Sequence, residues 1–171
     1  MSAERPPVVL LHGALGSKAQ MARLAGALEP QLAPYAFDFL GHGASMLTGP
    51  LTMERLVDQL ADAVRAHGLG PVRLFGYSMG GYVALQLAAS HPELVHSVAT
   101  LATKLLWTPE VASQLAAMAD EQVIAAKIPR FAAALQLEHT GTGWERLCRE
   151  TRDMFVRLGE RPLLADMSFA G

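Results

Sequence analysis

The sequence predicts an α/β fold: a parallel sheet flanked by helices, with a helical lid appended. Three observations carry this expectation. Short apolar runs recur between Val8 and Leu101. The stretches between them have helical period, with cap residues in front and glycine or proline behind. Beyond Leu101 the alternation gives way to helical patterning alone. Strands buried on both faces of a parallel sheet read as continuous apolar runs, and strand–helix alternation predicts right-handed βαβ crossovers.

Val8-Val9-Leu10-Leu11, bounded by Pro7 and Gly13, reads as the first strand. Ser17 can cap a helix running to about Leu28, where Pro30 stops it. Tyr35-Ala36-Phe37-Asp38-Phe39 reads as a second strand ending at Gly41. Thr52 can cap the next helix, whose Leu56, Val57, Leu60, Ala61 and Val64 fall on one face. Gly68, Gly70 and Pro71 end it, and Val72-Arg73-Leu74-Phe75 follows as the third strand. A helix from about Met79 to Ser90 is stopped by His91-Pro92, and Val95 to Leu101 makes the fourth strand. Thr108-Pro109 opens a helix with a cap and a proline at its first position, and Pro129 opens another. Trp144, Leu147, Cys148, Thr151, Phe155 and Leu158 stripe a third, closed by Gly159. The expected division is a core over residues 1–104, a helical lid over 105–159 and a linker over 160–171.

At 171 residues the chain is one domain's worth, and 51% hydrophobic residues with a mean hydropathy of +0.22 supply a sizeable core. A net charge of −2 gives no basic footprint for nucleic acid. The lone Cys148 permits no intrachain disulfide, in keeping with a reducing compartment. Residues 1–7 have no signal-type apolar stretch, and the apolar runs are too short to span a bilayer. The expectations are therefore a cytoplasmic protein with no nucleic-acid or membrane partner, no cofactor and no metal, acting on a small molecule.

The chemistry lies in Gly76-Tyr77-Ser78-Met79-Gly80-Gly81, between a strand and a helix. Glycines flank the serine where side chains would clash, so a tight turn can lift the Ser78 hydroxyl above the C-terminal edge of the sheet. Ser78 is the candidate nucleophile, at a helix N-terminus that favours developing negative charge. An oxyanion hole needs two backbone N–H donors near it. Met79 supplies one; the loop Leu11-His12-Gly13-Ala14-Leu15-Gly16 supplies the other, from Ala14 or, failing that, Leu15. His12 reads as structural. Asp38-Phe39-Leu40-Gly41-His42-Gly43-Ala44-Ser45 holds an acid and a histidine, but reads as a structural turn.

These three motifs, in this order and spacing, resemble the α/β-hydrolase superfamily of single-domain esterases and related enzymes over nearly the whole chain. The strings HGALGS, DFLGHGAS and GYSMGG are especially similar to a small subgroup that includes the pyruvate-eliminating synthase of the menaquinone pathway. That synthase typically carries arginine after the double glycine, where this chain has Tyr82, which sets a general hydrolase ahead of it. A catalytically inactive, hydrolase-derived binding module is the non-enzymatic alternative. The resemblance implies a catalytic order of serine, acid, histidine. It also implies that the acid follows a later strand and that the histidine lies near the C-terminus. Complete domains of this fold run to ~200–250 residues, so the chain is expected to stop before both. Met167 to Gly171 would lead toward the acid-bearing strand, and the exposed fourth strand would invite homo-oligomers.

Of the other histidines, His67, His91 and His96 fall at the far end of the sheet, and His139 in the lid could approach the site. Ligands in such sheets bind at the carboxyl ends of the strands. The substrate-binding candidates are accordingly Leu15, Tyr77, Lys104 and Trp107, with Lys104 able to meet a carboxylate.

Overall fold

The computed structural model describes residues 5–164. The strands β1 (Pro7–Leu11), β2 (Ala33–Ala36), β3 (Val72–Tyr77) and β4 (Val95–Leu101) form one parallel sheet, in the order β2-β1-β3-β4. The helices are α1 (Ala22–Leu28), α2 (Met53–Ala66), α3 (Met79–Ser90), α4 (Pro109–Met118), α5 (Glu121–Lys127), α6 (Pro129–Glu138) and α7 (Trp144–Glu160). The expected α/β class is what the chain forms. The residues expected to lead toward a further strand, Met167 to Gly171, lie outside the described region.

Period-two alternation sends the strand side chains to two faces. Val9, Leu11, Val72 and Leu74 join the main core beneath α2 and α3. Val8 and Leu10 face the other way, against Met21 and α1, with Phe75 and Tyr77 beside them. The α2 stripe is buried as read, from Leu56 to Val64. Each leucine buried this completely contributes roughly 1.5–3 kcal/mol. Thr52 Oγ1 accepts the Arg55 N–H at 3.3 Å, capping that helix. Ser17 caps as well, but what it caps is a 3-10 turn, Lys18–Met21, from which α1 continues.

Besides β3, which runs past Phe75 to Tyr77, two elements differ from their sequence reading. The second strand ends at Ala36, so Phe37, Asp38 and Phe39 are not in it. The reason is competition for backbone donors. Phe39 N–H donates to His12 Nε2 at 3.1 Å and Leu40 N–H to Gln59 Oε1 at 2.9 Å, so side chains take the bonds a strand ladder would use. The other is α5, which went unread although Asp120 caps it by accepting the Gln122 and Val123 N–H groups. The helical segment after β4 is not uniform. Helices α4 and α7 contribute Ala112, Leu147, Met154, Phe155 and Leu158 to the main core. Helices α5 and α6 close a separate small cluster through Ile124 and Leu135, against Trp144 and Cys148.

Candidate functional site

The link between β3 and α3 is a single residue, Ser78, at φ 50° and ψ −114°. L-residues rarely enter this region, and such strain persists only where the surroundings impose it. Here they do. Ser78 N–H donates to Leu101 O at 2.9 Å, and Thr103 Oγ1 donates to Ser78 O at 3.2 Å. The glycines are required by backbone packing. A Cβ on Gly76 would land on the Gly81 backbone, one on Gly80 would sit 2.5 Å from Leu11 O, and one on Gly81 would strike Thr103. The Ser78 side chain makes no capping bond to its helix, and the residue lines a cavity of about 110 Å³.

That cavity is walled by Met53, Met79, Tyr82, Ala102, Lys104, Trp107, Leu115 and Phe155. Its surface is apolar apart from Ser78 and Lys104. Trp107 is buried, its indole N–H donating to Lys104 O at 3.1 Å and its ring tilted against Phe155. A larger recess of about 270 Å³ lies on the other side of Met53, among Thr52, Glu54, Met154 and Arg157. It is larger, but Ser78 is not among its lining residues.

The Gly13 loop abuts the serine. A Cβ at Gly13 would stand 2.9 Å from the Tyr77 ring and 3.4 Å from Ser78 Cβ, so only glycine allows this approach. Among the described residues, Ala14 N–H donates to no acceptor. Met79 N–H lies in the first turn of α3, where no intrahelical acceptor exists. Leu15 N–H donates to His42 Nε2 at 3.3 Å, so of the two loop donors considered from sequence, Leu15 is engaged.

The structure brings Ser78, Met79, Lys104 and Trp107 to one cavity, with Ala14 and Leu15 in the neighbouring loop. It does not bring Tyr77 there. Side chains alternate along β3, and the Tyr77 ring packs on the α1 side of the sheet. The Leu15 side chain packs between the two apolar clusters rather than into the cavity.

Three histidines, His12, His42 and His139, are buried in contact, with ring centroids 4.9 Å apart for the first pair and 5.9 Å for the second. Every ring nitrogen is engaged. His12 Nδ1 donates to Gly13 O at 2.8 Å and Nε2 accepts from Phe39. His42 Nδ1 donates to Leu40 O at 2.9 Å and Nε2 accepts from Leu15. His139 Nδ1 accepts the Gly43 N–H at 2.9 Å and Nε2 donates to Leu15 O at 3.1 Å. Burial holds His12 and His42 below the ordinary imidazole range. His139 therefore does approach the loop beside Ser78, as considered, but with no nitrogen to offer a serine proton. Of the remaining histidines, His96 sits near the start of β4, the strand end opposite Ser78, and His91 bonds to Ser90. Asp38 accepts the Lys18 N–H at 2.8 Å and pairs with the Lys18 ammonium, which makes it structural. Cys148 is buried, and burial pushes its thiol up to about 12, which leaves it unreactive.

Residues 6–164 match the sequence profile described as the alpha/beta hydrolase fold. The chain belongs to the α/β-hydrolase fold family. It is 38% identical over 98 residues to a pimeloyl-[acyl-carrier protein] methyl ester esterase of Chromobacterium violaceum, covering 57% of this chain and 37% of that protein. It is 34% identical over 110 residues to a probable alcohol acetyltransferase of Cyberlindnera fabianii, covering 63% of this chain and 30% of that one. The chain thus spans about a third of the length of these curated relatives. Among solved structures, NosK from Streptomyces actuosus superposes with a TM-score of 0.75 at 28% identity, covering 92% of this chain and 68% of that one. A thermophilic esterase from Thermogutta terrifontis shares the fold, with a TM-score of 0.72 at 22% identity, covering 95% and 66%.

Two supports of this α/β-hydrolase site escaped the sequence reading. Thr103 holds the Ser78 carbonyl through its hydroxyl. Tyr82 is buried, and its hydroxyl accepts the Leu163 and Leu164 N–H groups at 3.1 and 3.2 Å. No local signal foretells either, because their partners are 25 and more than 80 residues away. Among the described residues no helix is long and apolar enough to cross a membrane, and no group of His, Cys, Asp or Glu could hold a metal ion.

Proposed function

We propose that this chain carries the nucleophile and oxyanion loop of a serine hydrolase acting on small ester-like or acyl substrates. One observation carries the reading: Ser78 is held in a glycine-type backbone conformation at the wall of an apolar cavity. Strain of this kind, roughly 1–3 kcal/mol, is kept where it serves a site. In this reading Ser78 Oγ attacks the substrate carbonyl. The carbonyl oxygen takes up negative charge beside the Ala14 and Met79 N–H groups and the positive end of α3. Collapse of the tetrahedral intermediate expels the alcohol and leaves an acyl-serine, which water then cleaves.

The serine proton needs a base. Each ring nitrogen of His12, His42 and His139 is already bonded, so none of these three is the base in this reading. Lys104 is the one charged side chain on the cavity wall and would face an anionic substrate group. A second reading, transfer of the acyl group to an alcohol, is favoured by the alcohol acetyltransferase relatives, since the acyl-serine would be the same. The pyruvate-eliminating lyase gains nothing from Tyr82, whose hydroxyl is occupied.

With these three histidines engaged, the chain alone should turn over a short-chain nitrophenyl ester at close to background, because a serine without its base can lose roughly 10⁴–10⁶-fold in rate. Added imidazole should restore part of the lost base function, in excess of its own solution reaction. An alkyl fluorophosphonate should label Ser78, as located by peptide mass. If wild type and Ser78→Ala hydrolyse identically at every imidazole concentration and no label reaches Ser78, the hydrolase reading fails and the inactive binding module stands. Ester formation in added ethanol would select the transferase.

A further inference from the structure

Leu15 is held from both sides by imidazoles: His42 takes its N–H and His139 donates to its carbonyl. It adopts φ 58°, a left-handed conformation that leucine leaves unless something external holds it. His139 reaches this loop from the α6–α7 junction, 124 residues away, and binds Gly43 N–H with its other nitrogen. A second tether runs alongside, the Ser17 hydroxyl donating to the Glu138 carboxylate.

We propose that His12, His42 and His139 form a pH-gated clasp that fastens the α5–α6 segment to the Gly13–Leu15 loop only while all three rings are neutral. Each ring accepts one backbone N–H and donates to one carbonyl. A proton on any acceptor nitrogen would point N–H at N–H, at Phe39, Leu15 or Gly43, and that bond is lost. The rings touch, so a charge on one disfavours charge on the next. The other charged groups facing the stack are Asp38, which pairs with Lys18, and Glu138. From α5 and α6 the segment buries Ile124 and Leu135, and ion pairs of Asp120 and Glu121 with Arg149 and Arg152 hold α5 to α7, so the clasp acts on the α6 end of the segment. Once unclasped, Leu15 can relax to negative φ and the loop beside Ser78 changes shape. The clasp stands whether or not Ala14 N–H ever receives an oxyanion.

Burial keeps His12 and His42 below the ordinary imidazole range in the clasped form. Protons therefore favour the open form, and the clasp holds above a pH of about 6.5 and weakens below it. The test is NMR on the intact chain. At a pH of about 7.5, ring nitrogen shifts should show Nδ1–H for His12 and His42 and Nε2–H for His139. As pH falls to about 5, exchange of the Leu15 and Gly43 amides, corrected for intrinsic rate, should rise by up to about tenfold per pH unit for each proton taken up. Amides of β1 and β3 should stay protected. His139→Ala should exchange fast at Gly43 already at neutral pH and lose the pH dependence there, while the Leu15 amide, bonded to His42, keeps its own, and His139→Gln should fall between. A doubly protonated ring at neutral pH, unchanged Leu15 and Gly43 amides, or a rise shared equally by β1 and β3 would overturn the proposal.

Discussion

The Ser78 turn and the histidine stack lie at the same end of the sheet, yet they treat polar groups in opposite ways. At the turn, backbone strain is imposed by glycine packing, and the hydroxyl has no capping partner. In the stack, six ring nitrogens meet six backbone partners, with nothing left over. The turn leaves its hydroxyl without a capping partner, whereas the stack has every ring nitrogen satisfied. Composition alone would have ranked them the other way, because three histidines look more catalytic than one serine. What separates them is whether each donor and acceptor is already satisfied.

The contrast can be broken by removing its supports. Gly80→Ala should have the largest effect, because the new Cβ would press on Leu11 O at 2.5 Å and His12 O at 2.7 Å, both backbone atoms. A loss of roughly 3 kcal/mol is expected, read as a shift in the denaturation midpoint; an unchanged midpoint would mean the turn is looser than described. Next, His139→Ala should destabilise by roughly 2 kcal/mol, since it strands the buried Gly43 N–H and the Leu15 carbonyl. If water fills the space at no penalty, the stack is not as tightly satisfied as its geometry says.

The third effect depends on pH. His12 and His42 have folded pKa values below the unfolded value, so the unfolded chain binds more protons and acid favours unfolding. Stability should be level above a pH of about 6.5 and fall below it, by at most roughly 1.4 kcal/mol per pH unit for each proton taken up. Urea midpoints from neutral to mildly acidic pH test this; stability that rises on acidification would contradict the neutral assignment. The smallest effect has the opposite sign. Ser78→Gly removes the strain and the nucleophile together, and should raise stability by about 1 kcal/mol, visible as a higher Tm. A lower Tm would mean the serine side chain contributes packing that the cavity does not suggest.

Much of this was legible in the sequence because it is local. Ser17, Thr52 and Thr108 cap where they were read to cap. The spacing of Gly76, Gly80 and Gly81 forecast a turn that tolerates no side chain. The errors came where distant residues compete with local preference. Phe37 to Phe39 have strand character, but His12 and Gln59 draw the backbone out of the sheet. Tyr77 alternates onto the face away from Ser78, which follows from counting residues along β3 once its true end is known. His139 illustrates the limit: a histidine following a short helix gives no sign that its two partners lie 96 and 124 residues earlier.

The anchoring of Ser78 on β4 has a dynamic consequence. The serine's N–H hangs on Leu101 O, and its carbonyl on Thr103, just past the same strand. Among the described strands β4 is an outermost one, paired with β3 alone. Outer strands fray, and whatever they carry shares their fluctuations. The Ser78 turn is therefore fastened to a border of the described sheet, so its rigidity is borrowed. Any segment that zipped onto the free side of β4 would quiet the serine from a distance without touching it.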